Sequence, residues 1–231
     1  RNPPGITYTA GNGTGQIIMH RLRHIGVSLL WIGISLLASG TGSALGSQSL
    51  ESFTATYQLN RGRMIIGKVT TRLQLGTDGS YTYSSVTIPV GIVAVFSKGQ
   101  ITETSKGRIS GRQVIPSSYR YHHKRKKRPK LRRLQFDWPA NRVTAPGTSP
   151  VWSSSINTGT QDKASKILSM MLAMRPGTAD MQIRVADKTK LKTYRISRVK
   201  QEQIDTADRS FDTIQLNETK PGKPPSTRFW L

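Results

Sequence analysis

Apolar and polar residues alternate with a period of two through much of the chain from Phe53 onward. In "FTATYQL", apolar or aromatic residues at positions 53, 55, 57 and 59 alternate with Thr and Gln. Successive side chains of a strand point to opposite faces of a sheet, so this alternation is typical of strands with one buried and one solvated face. The pattern predicts a sheet with one side against a core.

The same alternation returns in further stretches that are separated by turn signals such as "NRGR" and "GTDGS". Glycine supplies the positive φ that such turns need. The predicted strands are "IIGKVTTRLQL", "SYTYSSVTI", "QITETSKGRI", "QVIPSSYRYHH", "LRRLQFDW", "MQIRVADKT", "LKTYRISRVK" and "SFDTIQLNE", with a new strand after "PAN" and another begun at "FWL". The stretch "PVGIVAVF" is apolar on all sides, and periodicity does not choose between a short helix and a bent strand there.

One stretch, "TQDKASKILSMMLAMRPG", has helical spacing and predicts a helix over about residues 162–174. Asp162 is placed to cap its start, and Pro176–Gly177 is placed to end it. A parallel sheet needs a helix after each strand, and the sequence lacks those helices. The predicted fold class is therefore mainly β (α+β), a curved antiparallel sheet with one short helix.

The N-terminal part has the layout of a secretory signal peptide. A short basic segment follows Met19, the run Ile25–Ala38 is apolar, and small residues lead to a cleavage point after Ala44. The apolar run is shorter than the ~20 residues that cross a bilayer. We therefore expect residues 1–18 to be an upstream extension, residues 19–44 a cleaved signal, and residues 45–231 one β-rich domain; an uncleaved N-terminal membrane anchor is the alternative.

Composition limits the chemistry of the exported part. The chain has no Cys, which excludes a disulfide framework and a thiolate zinc site. His122 and His123 are adjacent on a predicted strand, so they point to opposite faces and do not share one ion. No signature of a serine hydrolase, a nucleotide-binding loop or a zinc protease is present. We expect no catalytic residues, no metal and no cofactor, and a protein that is not an enzyme.

The quoted stretches, in this order, resemble a bacterial family of exported proteins, domain of unknown function 3108. The resemblance runs from Phe53 to Leu231 through "FTATYQLNRGRMIIGKVTTRLQL", "GSYTYSSVTIPVGIVAVF", "ITETSKGRI", "VIPSSYRY", "QFDWPANRV" and the "QDKAS" and "MRPG" ends of the helix. It implies a periplasmic protein with an open half-barrel similar to lipid and lipoprotein carriers, and it assigns no activity. Family members continue past "FWL" with a further strand, so the resemblance also predicts that C-terminal strand structure is missing here.

A dense basic run lies between two predicted strands. Tyr119 and Tyr121 alternate on the way in, Leu134 and Phe136 on the way out, and Pro129 sits between them, so the run is predicted to be the tip and outer face of a hairpin. One interpretation is a solvated turn that prevents edge pairing. The other is contact with anionic lipids or acidic envelope glycans; export removes nucleic acid as a physiological partner. The residues of this predicted contact are Lys124, Arg125, Lys126, Lys127, Arg128, Lys130, Arg132 and Arg133.

Aromatic residues fall on the inward positions of several predicted strands. A curved sheet with a helix over its mouth can enclose an apolar cavity, although aromatics at this spacing also fill ordinary cores. The predicted cavity-lining residues are Tyr57, Tyr81, Tyr83, Phe136 and Trp138. Three hypotheses follow: a non-enzymatic periplasmic protein that binds a lipophilic or envelope-derived ligand and uses its basic hairpin at anionic surfaces, a structural envelope protein with a filled core and protein partners, and a cell-envelope enzyme.

Overall fold

The computed structural model describes residues 6–9, 50–61, 64–91, 94, 99–125, 128–173, 180–205, 210–222 and 227–230. In this part of the chain the protein is mainly β with one short helix, and its sheet curls into a half-barrel. The predicted fold class is therefore confirmed. The predicted signal peptide Met19–Ala44 lies outside the described residues, as does half of "PVGIVAVF", and both remain predictions.

The larger sheet is a nine-stranded meander in which each strand pairs antiparallel with the next along the chain. This is the arrangement that the turn signals between the alternating stretches favour. Its strands are β1 (Ile6–Thr9), β2 (Phe53–Arg61), β3 (Met64–Leu75), β4 (Ser80–Pro89), β5 (Ile101–Ser110), β6 (Gln113–His123), β7 (Lys130–Asp137), β8 (Arg142–Ala145) and β9 (Trp152–Ser155).

A second sheet has five strands, and its division from the first was not predicted. The short β10 pairs parallel with β11, and the remaining neighbours are antiparallel. β9 and β10 are too short to give a readable alternation, which is why the sequence pattern misses them. The strands are β10 (Gln161–Asp162), β11 (Met181–Asp187), β12 (Lys190–Asp205), β13 (Ser210–Thr219) and β14 (Thr227–Trp230).

The helix α1 (Ser165–Ala173) starts where the sequence places its cap. The backbone N–H groups of Ala164 and Ser165 donate to Asp162 Oδ1 over 2.7 and 2.8 Å, and the Asp162 N–H donates back to Ser165 Oγ over 2.8 Å. This reciprocal pair is a capping box, which satisfies N–H groups that the first turn leaves without partners. The predicted cap is confirmed, and Pro176–Gly177 lies outside the described residues.

The faces of the strands follow the predicted alternation. On β3, Thr71 and Leu73 are buried, whereas Lys68 and Arg72 are exposed. The buried positions face the concave side of the half-barrel, where α1 packs. The opposite positions form the convex side.

Helix α1 contributes to two hydrophobic clusters. Leu168 and Met171 pack with buried residues of the larger sheet, among them Leu73 and Leu134. Met170 packs with the smaller sheet instead. Ile167 packs against both clusters, so α1 links the two sheets through buried apolar surface, which stabilises by about 25 cal/mol per Å².

A β-bulge between β5 and β6 requires glycine. The register shifts between Lys106 and Gly107. A Cβ on Gly107 would lie 2.8 Å from Pro116 Cα and even closer to the Ile115 carbonyl oxygen. Because both obstacles are backbone, they cannot move aside, and only glycine fits at this bend.

Candidate functional site

The basic run lies at the end of the β6–β7 hairpin, as predicted. The two strands pair from Ser118 with Gln135 to His123 with Lys130. Tyr119 and Leu134 face each other on the buried side. The chain therefore reverses direction between His123 and Lys130, at the end of a hydrogen-bonded hairpin.

Four cations of the run share one exposed location. We call them the hairpin tip: Lys124, Arg125, Arg128 and Lys130, all of them exposed. Lys126 and Lys127 lie outside the described residues.

Arg132 and Arg133, the last two predicted contact residues, are consecutive on β7. Their side chains therefore point to opposite sides of the sheet. Arg132 turns to the concave side, where its guanidinium carbon lies 5.1 Å from the centroid of the Tyr121 ring. Arg133 is exposed on the convex side, opposite Arg120. The structure thus divides the predicted site into a tip, an inward arginine and an outward arginine.

His123 anchors the base of the tip. Its side chain is buried, and Arg125 Nε donates to its Nδ1 over 3.1 Å. Loss of solvation and the positive charges of Arg125 and Lys130 lower the pKa of His123. A neutral imidazole can accept this hydrogen bond, so it holds Arg125 against the hairpin without adding charge.

A second polar arrangement lies between the two sheets, in residues 160–165, which we call the joint. Asp162 has no exposed surface, and its backbone pairs with Ala186 of the smaller sheet. Its Oδ2 accepts a hydrogen bond of 2.6 Å from Ser105 Oγ of the larger sheet. Ser105 in turn lies 2.9 Å from the Tyr81 hydroxyl. One residue therefore bonds to one sheet through its backbone and to the other through its side chain.

Burial dominates the electrostatics of the joint. Loss of solvation raises the pKa of Asp162 to about 6, although Ser105, Ser165 and Ala164 donate hydrogen bonds that oppose the increase. Burial and then the charge of Asp162 raise the pKa of Tyr81 well above its ordinary value. The phenol is thus neutral and acts as a hydrogen-bonding partner.

A neighbouring contact ties the same joint to β5 and β6. The Tyr119 hydroxyl donates a short hydrogen bond to Glu103, and Lys163 Nζ lies 3.1 Å from the same Glu103 oxygen. Burial, followed by the Glu103 charge, raises the pKa of Tyr119 far above its usual range. The contact between Glu103 and Lys163 spans 60 positions of the chain and leaves no local signal in the sequence.

The structure favours a structural role for these acids. Asp162 is enclosed and its carboxylate is occupied by donors from the fold itself. Among the described residues, no three His, Asp or Glu side chains are grouped to hold a metal ion.

The predicted cavity-lining residues converge on the concave side. Tyr81, Tyr83 and Phe136 are buried in the cluster that includes α1. Trp138 packs against that cluster, stacks on Phe136 with ring centroids 5.9 Å apart, and donates its Nε1–H to the Pro116 carbonyl over 2.7 Å. The side chain of Tyr57 lies outside the described set. The four described residues share a face as predicted, and a ligand role for the predicted set remains a prediction.

One cation that is largely, though not fully, covered by the fold has no signal in the sequence. Lys166 forms a short ion pair with Glu218, and its Nζ lies 4.8 Å from the Tyr194 ring centroid and 5.4 Å from that of Phe229. Burial lowers the pKa of Lys166, and the Glu218 carboxylate opposes that change. Its partner is 52 positions away, so only the fold reveals the pair.

Comparison with known protein families gives a match over most of the chain. Among the described helices, none is long and apolar enough to cross a bilayer. Neither curated proteins nor solved structures give a significant match. The sequence profile described as "Protein of unknown function (DUF3108)" matches residues 52–231, which covers β2 to β14. The chain therefore belongs to the DUF3108 family.

Proposed function

We propose that the protein is a non-enzymatic component of the bacterial cell envelope that holds to anionic lipid head groups through its hairpin tip. The observation that carries the proposal is the tip itself. Lys124, Arg125, Arg128 and Lys130 are exposed together at the end of one ribbon. The ion pairs found among the described residues involve none of them.

The electrostatic attraction between the hairpin tip and an anionic bilayer is additive over the cations and reversible. Each Lys or Arg close to an anionic bilayer contributes about 1 kcal/mol, and the attraction falls off within a Debye length. The tip extends from a hairpin whose strands are paired up to His123 and Lys130. A rigid base lowers the entropy lost when several cations bind one surface together.

Export to the periplasm is part of this proposal, and its support is the signal-peptide pattern of residues 19–44. In this proposal the protein also binds a lipophilic or envelope-derived ligand on its concave side. The burial of Tyr81, Tyr83 and Phe136 beneath α1 favours a second candidate, a structural envelope protein with a filled core. Both candidates use the same exposed tip.

The test is co-sedimentation of the full chain with phosphatidylcholine vesicles that contain or lack phosphatidylglycerol. We expect binding to the anionic vesicles at low salt and release at high salt. The variant Lys124→Gln/Arg128→Gln should bind about 30-fold more weakly, because two contributions of about 1 kcal/mol multiply.

The matched control is Lys188→Asn/Lys190→Gln, which removes the same charge from exposed positions of the β11–β12 turn. Asn suits position 188, where the backbone φ is 60°. If the control variant weakened vesicle binding as much as the tip variant, the loss would follow from net charge and not from the position of the tip. Absence of binding to anionic vesicles at low salt would refute the proposal.

A further inference from the structure

A row of polar side chains crosses the convex side of the larger sheet. Register pairs join Arg72 to Ser84, Ser84 to Thr104, Thr104 to Arg120, and Arg120 to Arg133. Paired residues of neighbouring strands point to the same face. We call this set the arginine row; it runs across β3, β4, β5, β6 and β7.

The row contains a direct repulsion. Arg120 and Arg133 are exposed and lie opposite each other on β6 and β7. Like charges in this relation destabilise a sheet. The ion pairs between described residues include neither of them, nor Arg72. The fold therefore maintains an electrostatic cost that an external anion would relieve.

The surroundings of the row do not supply that anion. On the outward positions of β3–β7, as far as these strands are described, the one carboxylate is Asp137, at the far end of β7. Asp137 accepts the Ala140 N–H over 3.0 Å and lies opposite Arg142. The exposed cations of this side are Lys68, Arg72, Lys106, Arg108, Arg120 and Arg133.

Shape distinguishes the possible anions. The sheet curls around α1, so the row lies on a convex surface. A flat bilayer would touch such a surface along a narrow line, whereas a flexible chain can follow it. Neighbouring strands are about 4.8 Å apart, so the row from β3 to β7 spans about 19 Å. This length fits several units of a linear polymer.

Chemistry distinguishes among polymers. Proteins that bind single-stranded nucleic acid combine cations with aromatic platforms on which bases stack. The described outward positions of β3–β7 carry no Phe, Tyr or Trp. They carry hydroxyl groups instead, with Ser84 and Thr104 in the row itself. Hydroxyls donate to and accept from sugar hydroxyls, while arginines bind carboxylate or phosphate through paired N–H groups.

We propose that the arginine row is a binding surface for a linear acidic glycan. The anionic groups of the glycan sit between Arg120 and Arg133 and at Arg72, and its sugar hydroxyls meet Ser84 and Thr104. This surface is separate from the hairpin tip. The proposal therefore does not rest on bilayer binding.

The experiment measures binding of the full chain to a fluorescent oligogalacturonate, a linear carboxylated glycan, at low and intermediate salt. The variant Arg120→Gln/Arg133→Gln should weaken binding about tenfold, from the loss of two exposed charge-assisted contacts. Arg120→Lys/Arg133→Lys keeps the charge but loses the paired geometry, so it should fall between this variant and the wild type.

Controls separate the two surfaces. Lys188→Asn/Lys190→Gln and the tip variant Lys124→Gln/Arg128→Gln should each stay within about twofold of the wild type at intermediate salt, where remote charges are screened. Equal weakening by either control overturns the proposal. An oligothymidylate of the same charge that binds more tightly than the oligogalacturonate also overturns it.

A folding readout accompanies each titration. Because the Gln variant removes a repulsion, its thermal midpoint without ligand should be at least that of the wild type, so weaker binding would not reflect unfolding. Oligogalacturonate should raise the midpoint of the wild type more than that of the variant. An equal rise in both proteins would refute the assignment of the row.

Discussion

The joint and the arginine row differ in how their charges are compensated. At the joint, Asp162 is fully buried and three donors of the fold bond to its carboxylate. In the row, Arg120 and Arg133 lie opposite each other and are both exposed to solvent. A buried charge is costly unless the fold pairs it or donates hydrogen bonds to it, whereas an exposed charge can remain uncompensated until an external anion binds. The comparison separates charge that stabilises this fold from charge that is available for recognition.

The largest effect should come from removing the carboxylate of the joint. Asp162→Ala removes the acceptor of the Ser105 hydroxyl, leaves two backbone N–H groups without their side-chain acceptor and abolishes the cap. We expect it to lower the free energy of unfolding by about 3 kcal/mol. Urea unfolding, measured below the pKa of Asp162, checks this.

Ser105→Ala is the graded comparison for that experiment. It removes one donor to Asp162 and keeps both backbone N–H groups of the cap, so a loss of about 1 kcal/mol is expected. If Asp162→Ala cost no more than Ser105→Ala, the joint would not depend on its buried acid.

The same carboxylate should make stability depend on pH. The pKa of Asp162 in the folded protein is raised to about 6 from 3.8. The folded state therefore binds a proton that the unfolded chain releases earlier. This contribution is fully present below about pH 4 and is lost as the pH rises through about 6, by on the order of 2–3 kcal/mol.

Asp162→Asn provides the reference curve for this pH effect. Its amide is neutral at every pH; the amide oxygen can still accept from the N–H groups of Ala164 and Ser165, and the NH2 group donates to Ser105 Oγ where the carboxylate accepted from it. Subtracting its unfolding free energy from that of the wild type removes the background from other groups. A difference that stays flat between about pH 4 and 7 would contradict the raised pKa.

The sequence predicts the helix cap formed by Asp162 at the joint. It does not predict the hydrogen bond from Ser105 to the same carboxylate. Asp162 caps a helix whose first turn follows at once, so composition and spacing reveal it. Ser105 lies 57 positions away, and its approach depends on how the sheet curls. Nothing in the alternation of β5 distinguishes this serine from its polar neighbours.

The arginine row is hidden from the sequence for a related reason. The faces of β6 and β7 are readable because Tyr119 and Leu134 are apolar. Which arginine of β7 opposes Arg120 depends on the register, and that depends on the length of the hairpin loop. Lys and Arg fill the run from Lys124 to Arg133 apart from Pro129 and Leu131, so the sequence does not mark where β6 ends or β7 begins.

The ion pair between Lys166 of α1 and Glu218 of the smaller sheet extends the comparison to a cation. Lys166→Met keeps the apolar stem of the side chain beside Tyr194 and Phe229 but removes the charge that faces Glu218. We expect a loss of about 2 kcal/mol in unfolding free energy, because a buried carboxylate loses its ammonium partner. Lys163→Met is the control, since its contact with Glu103 is more exposed than that of Lys166 with Glu218 and should contribute under about 1 kcal/mol. If both variants lost a similar amount of unfolding free energy, burial of the ion pair would not determine the cost of breaking it.

The smallest effect should have the opposite sign and lies in the arginine row. Arg133→Gln removes a like-charge contact with Arg120, so the free energy of unfolding should rise by about 0.5 kcal/mol at low salt. Arg142→Gln is the matched control, because Arg142 lies opposite Asp137 and its loss should lower stability by a similar amount. High salt should remove both changes. If Arg133→Gln instead lowered stability as Arg142→Gln does, Arg133 would already have a partner within the fold, and the argument that the row waits for an external anion would fail.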